Sequence, residues 1–155
     1  MSDTIREILP SAKGLTLYIG LGNSMRGDDF AGSLIVSLIY ERDGIAVFDA
    51  GEKPETAYDK ALEVKPAKAV FFDAADMGFP AGTIQILYED TLSVRSVSTH
   101  KVPLPLITKL VREETGAEIV ICGVQPASVE FMRKMDESVK ESCETLAKII
   151  NNSRF

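Results

Sequence analysis

A dense run of lysine and arginine is missing from this sequence, and so is any apolar stretch of signal-peptide or membrane-spanning length. The formal net charge of −6 offers nothing to a phosphate backbone, whose neutralisation drives nonspecific nucleic-acid binding, so nucleic acid is excluded as an expected partner. The first residues, MSDTIREILPSAKG, carry acidic groups early and no hydrophobic core of a leader, which predicts a cytoplasmic protein without membrane insertion. Cysteine is scarce as well. Cys122 lies in the apolar run EIVICG and Cys143 on the stripe Val139, Cys143, Leu146 and Ile150, and no Cys-x-x-Cys spacing occurs. Both are expected to be buried, reduced packing residues rather than a disulfide or a redox pair. Histidine occurs once, at His100.

What is present is an ordinary globular mixture, 45% hydrophobic and 26% charged over 155 residues, enough for one domain spanning 1–155. The run LTLYIG (15–20) predicts a strand. A glycine-rich turn follows it, and then a helix in DDFAGSLIVSLIYERDG whose apolar face is Ala31, Leu34, Ile35, Leu38 and Ile39, with Asp43-Gly44 as its stop. The pattern repeats with IAVFDAG as a strand, PETAYDKALEV as a helix opened by Pro54, and AKAVFFDA as a third strand. Pro80-Ala81-Gly82 turns the chain into TIQILYE, whose alternation suits a half-exposed edge strand running antiparallel to the rest. A helix with Leu104, Ile107, Leu110 and Val111, the strand AEIVICG and a terminal helix from about Asp136 complete the chain. The expected fold is α/β, a three-layer α/β/α sandwich on a mostly parallel sheet of about five strands with one antiparallel edge strand.

Open α/β sheets bind ligands beyond the carboxyl ends of their strands. Here those ends deliver the loop from Gly20 to Asp29, then Asp49-Ala50-Gly51, Asp73-Ala74-Ala75-Asp76, and Gly123-Val124-Gln125-Pro126. Gly20-x-Gly22 begins a dinucleotide fingerprint with Asp49 at a plausible ribose position, but Met25 replaces its third glycine. Gly22 and Gly27 have phosphate-loop spacing, yet Asp28-Asp29 stand where Lys-Ser/Thr is required. A helix start favours anions, and here the protein's own carboxylates occupy it, which suits them to a cation or to activating water.

Asp28 reads best as a helix N-cap, leaving Asp29 as the freer carboxylate. Asp73, at the end of an apolar strand, reads as a site residue, Asp76 as a turn residue, and Asp49 as either an ordinary strand-ending turn or part of the cleft wall. Taken alone, His100 is more commonly an exposed loop residue. With two strand-end carboxylates it also makes a mixed N/O set able to hold a divalent transition metal with coordination positions left open. Buried cysteines and a lone histidine disfavour a cysteine or serine nucleophile.

Taken together, GLGNSMRGDDFAG after the first strand, DAG after the second, FFDAADMGFPAGTI after the third, STHKVPLPLI around the histidine and ICGVQP after the last resemble the nickel–iron hydrogenase maturation endopeptidases, in particular the formate-hydrogenlyase-associated type. The resemblance runs through most of the chain. It implies a hydrolase, aspartyl-protease-like in its residues, that removes a C-terminal extension from the hydrogenase large-subunit precursor after nickel insertion. By position it makes Asp29, Asp73 and His100 the metal-binding and catalytic set, with Asn23, Asp28 and Asp49 lining the cleft and no separate cofactor-binding residues. Nickel is then supplied by the loaded precursor, and other divalent metals can substitute in the isolated protein. Many relatives of this kind carry Gly after the Asp-Asp pair, whereas Phe30 stands here, a change expected to reshape the precursor groove and fine specificity while leaving the ligand positions intact. Two other classes remain as alternatives: a noncatalytic chaperone that inspects the metallocentre, and a dinucleotide-dependent oxidoreductase.

Overall fold

The computed structural model describes residues 3–88 and 102–153. Its five strands are β1 (Thr16–Leu21), β2 (Ile45–Gly51), β3 (Lys68–Ala74), β4 (Ile84–Leu87) and β5 (Glu118–Val124), joined in one sheet of order β2-β1-β3-β5-β4. Four run parallel, and β4 pairs antiparallel with β5 at the edge, Ile84 opposite Val124 and Leu87 opposite Ile121. This is the expected sheet, edge strand included. β1 and β3 are buried along their whole length, which is why they read as uninterrupted apolar runs instead of alternating ones.

Alternate residues of these strands feed two cores. Tyr18, Val70, Phe72, Val120 and Cys122 face one way, against α2 (Ala31–Ser37) and α5 (Glu137–Asn151). Leu17, Ile19, Phe71 and Ile121 face the other, against α3 (Glu55–Val64) and α4 (Leu104–Thr115). Each core buries the apolar stripe of two helices, giving the three-layer sandwich.

One local expectation is corrected, and one helix is additional to those expected. The helix after the glycine loop ends at Ser37 instead of continuing to Asp43-Gly44. Asn151, at the end of α5, donates to the Leu38 carbonyl at 2.9 Å and accepts from the Tyr40 N–H at 2.8 Å, replacing the next helical turn. A short helix α1 (Asp3–Ile8) also precedes the first strand. It is fastened by long-range bonds with no local signature: the Tyr18 hydroxyl donates to the Ile8 carbonyl at 2.7 Å, and the Lys68 ammonium to the Leu9 carbonyl at 2.7 Å.

Candidate functional site

The carboxyl ends of β1, β2 and β3 are brought level by backbone contacts. Beyond β1, the Gly22 N–H donates to the Gly51 carbonyl at 2.9 Å, joining the loops that follow β1 and β2. Gly32 in α2 lies so close to the sheet that a Cβ there would stand 2.1 Å from the Phe72 carbonyl oxygen and 2.4 Å from that of Leu21. Gly20 is the matching vacancy on the strand, where a Cβ would meet the Gly32 carbonyl oxygen at 2.4 Å. The close helix-to-strand approach is therefore made by Gly32, later in the chain than Met25, which stands at the fingerprint's third glycine position.

Between β1 and α2 the chain forms a single 3₁₀ turn, Gly27–Phe30. Asp29 is on that turn, 2% exposed, with the Arg26 guanidinium 3.9 Å from its Oδ2. Asp73 follows Phe72 directly and is fully buried, its Oδ1 accepting from the Ala74 N–H at 2.9 Å. The turn packs against β3. Two buried carboxylates thus sit on backbone segments that touch, as the strand-end pattern predicts. His100 lies outside the described residues. Among the described residues, no group of three or more His, Cys, Asp or Glu side chains gathers into a metal site.

Asp28 does something the sequence reading missed. It was expected to cap the following helix, but α2 begins at Ala31 with no side-chain cap, and the Asp28 carboxylate turns the other way. Its Oδ2 accepts from the Ala127 and Ser128 N–H groups at 2.6 and 3.0 Å, and its Oδ1 from the Asp136 N–H at 2.7 Å. The Asp28 N–H in turn donates to the Ser128 carbonyl at 2.9 Å, and Arg26 Nε to the Val129 carbonyl at 3.2 Å. One buried carboxylate therefore fastens the loop after β5 onto the glycine loop. The partners are about a hundred positions away, so no local motif could have announced them.

The remaining candidates make local hydrogen bonds. Asn23 Oδ1 accepts from the Met25 N–H at 2.8 Å, while its amide donates to Glu52 at 2.9 Å, which shapes the glycine loop. Asp49 is exposed and accepts from the Ser33 hydroxyl at 2.7 Å and the Gly51 N–H at 2.9 Å, so it holds its own turn and ties β2 to α2. Asp76 is a turn residue, as expected, contacting the Gly78 N–H at 3.3 Å and the Gln125 amide at 3.2 Å. Gln125, nearly buried, also accepts from the Met77 N–H at 2.6 Å and so orders the segment after Asp73. Its position beyond β5 was the available signal.

Both cysteines are free and buried. Burial pushes the Cys143 thiol up to about 12, with the Asp28 and Glu144 charges adding to it, and burial raises Cys122 likewise. Neither is a thiolate at neutral pH, so neither has the form a cysteine nucleophile needs.

The hydrogenase maturation protease family model (HycI) matches residues 35–153 of this chain. The chain belongs to the hydrogenase maturation protease family. Hydrogenase 3 maturation protease of Escherichia coli K12 is 33% identical over 129 residues, covering 81% of this chain and 82% of that protein. The crystal structure of the [NiFe] hydrogenase maturation protease HycI from Thermococcus kodakarensis KOD1 superimposes with a TM-score of 0.84 at 32% identity, covering 97% of both chains. The solution structure of the endopeptidase HycI from Escherichia coli gives 0.79 at 30% identity, covering 88% of this chain and 89% of that one. The protein is a hydrolase of the peptidase class. Its Gly20-x-Gly22 element packs a helix against a strand, in place of the dinucleotide role weighed above.

Proposed function

We propose that this protease removes a C-terminal extension from the precursor of a nickel–iron hydrogenase large subunit once nickel has been inserted, and that Asp29, Asp73 and His100 meet that nickel. The observation that carries the reading is the pair of buried carboxylates, Asp29 and Asp73, on touching segments at the carboxyl edge of the sheet. Two carboxylates withdrawn from water at one edge favour a divalent cation, and an imidazole beside them completes a donor set suited to borderline metals such as nickel.

Nickel belongs to the substrate in this reading. Three ligands without a thiolate are an incomplete shell that the precursor's own groups finish. A protease that bound nickel tightly by itself could not report whether its precursor was loaded, because only a differential interaction separates the two states. The metal supplies Lewis-acid polarisation of the scissile carbonyl or of a water. The chain supplies orientation: Ala74 N–H fixes the Asp73 carboxylate, the 3₁₀ turn holds Asp29, and either carboxylate aligns the attacking water. Two buried thiols and a cytoplasmic site of action are consistent with each other.

The test incubates the purified protein with nickel-loaded and nickel-free precursor and follows loss of the extension by mass. Cleavage of the loaded form alone is expected. Equal cleavage of both overturns the checkpoint, and cleavage of neither overturns the activity. Asp29→Asn, Asp73→Asn and His100→Ala, each with unchanged circular dichroism, should lower the rate about a hundredfold. Full activity in any one removes that residue from the centre.

A further inference from the structure

Fastening the β5 loop to the glycine loop creates a groove of about 380 Å³ between them. Phe30, Leu34 and Met135 line it, and Met25 and Met132 stand at it 44% and 69% exposed. Met132 is held at φ +65, a left-handed conformation that side-chain-bearing residues adopt only when their surroundings impose it. Here the imposing contact is the Met132 N–H donating to the Met25 carbonyl at 2.5 Å, so the two methionines are locked on opposite loops of one feature. Exposed thioethers of this kind form an adaptable apolar surface that accepts varied partners.

The groove's charged residues are all cationic: Arg133, Lys134 and Lys140. Glu130 pairs with Arg133 at 3.2 Å, but among the described residues neither lysine has an ion-pair partner. In a chain of net charge −6 the lining of this groove is cationic, while Glu130, Asp136, Glu137, Glu141 and Glu144 lie outside that lining on the same stretch of chain. The groove also borders the turn that carries Asp29. Gly27 and Phe30, which begin and end the turn carrying Asp29, both line it.

We propose that this groove docks a segment of the precursor in which large apolar side chains are interspersed with carboxylates. Resting on the function proposed above, the assignment places the apolar side chains among Met25, Phe30 and Met132 and the carboxylates on Lys134 and Lys140, with the bound chain running past the Asp29 turn. Charge on the rim steers encounter and sets its salt dependence, and the apolar floor retains the segment.

The experiment measures KM and kcat for extension removal from nickel-loaded precursor at low and high salt, using the wild type, Lys134→Glu/Lys140→Glu and Met132→Ser. The charge-reversal variant should raise KM about tenfold at low salt with kcat retained, and should abolish or invert the wild-type rise of KM with salt. Met132→Ser should raise KM at both salt concentrations. Circular dichroism checks the fold of each, and all three residues are on the surface. If the wild type cleaves the precursor but both variants keep its KM, the groove assignment is overturned while the proposed function stands. A wild type that cleaves no precursor overturns the function and the groove with it. A wild-type dimer that Met132→Ser converts to a monomer assigns the groove to a second copy of this chain and overturns precursor docking.

Discussion

Both helical layers pack side chains on the sheet, but only one of them also brings its backbone against a strand. On the α3 and α4 side, side chains fill the interface: Ala57 and Ala61 from α3 and Leu104, Ile107 and Val111 from α4 pack on Leu17, Ile19 and Phe71. The α2 and α5 side has side-chain packing as well, Ile35, Val36, Val139 and Leu146 on Tyr18, Val70 and Phe72, but beside the candidate site backbone also meets backbone at Gly20 and Gly32, and a buried carboxylate at Asp28 anchors the neighbouring loop. Side-chain packing tolerates adjustment because neighbouring rotamers can move, whereas a carbonyl oxygen facing a glycine Cα has no room to give. The face beside the candidate site is thus the less forgiving of the two.

The largest effect should come from filling the glycine contact. Gly32→Val is expected to abolish the fold, and Gly32→Ala to cost about 3 kcal/mol or more, read as a lowered urea midpoint. Ile107→Ala, a deletion on the other face, should cost about 2–5 kcal/mol by its cavity while leaving the precursor cleavage rate of the folded protein unchanged. Were Gly32→Ala milder than Ile107→Ala, the contrast between the faces would fail. Next comes Asp28→Asn, which keeps the shape but sets an NH2 against either the Asp136 donor or the donors of Ala127 and Ser128. About 2 kcal/mol of destabilisation is expected, with faster amide hydrogen exchange confined to the loop after β5.

A smaller effect is tied to pH. Hydrogen bonds from the Ser138 side chain and backbone hold the Asp136 carboxyl below the usual carboxylate range, where it caps α5. A lowered folded-state value means that the stabilisation is complete above the unfolded value of about 3.9 and fades as pH falls through the folded one. The difference in unfolding midpoint between wild type and Asp136→Ala should therefore be constant down to about pH 4 and shrink below it. The smallest response is a null one: Cys122 and Cys143 should resist thiol alkylation at pH 8 until the protein is unfolded.

The sheet was readable because its information is local. Uninterrupted apolar runs at 16–21 and 68–74 reflect strands covered on both faces, and the alternation at 84–87 marked the antiparallel edge. Asp29 and Asp73 were placed by the same logic, since strand ends follow from strand positions. The end of α2 was misplaced because Asn151 supplies the terminating bonds from the far end of the chain. Asp28 was misread for a related reason: a first-turn aspartate has the same sequence appearance whether it caps its own helix or accepts three N–H groups from a distant loop. Gly32 was not singled out, because nothing in its neighbourhood encodes the Phe72 carbonyl above it.

The span of those Asp28 bonds bears on how the enzyme comes into being. Its partners lie 99, 100 and 108 positions further along the chain. During synthesis, β1, β2 and β3 and the Asp29 turn leave the ribosome first, while the loop that walls the groove and the residue that starts α5 do not yet exist. The carboxylates of the β1 and β3 ends precede all of these partners in the chain, so the groove beside them gains its second wall only when the chain has passed Asp136.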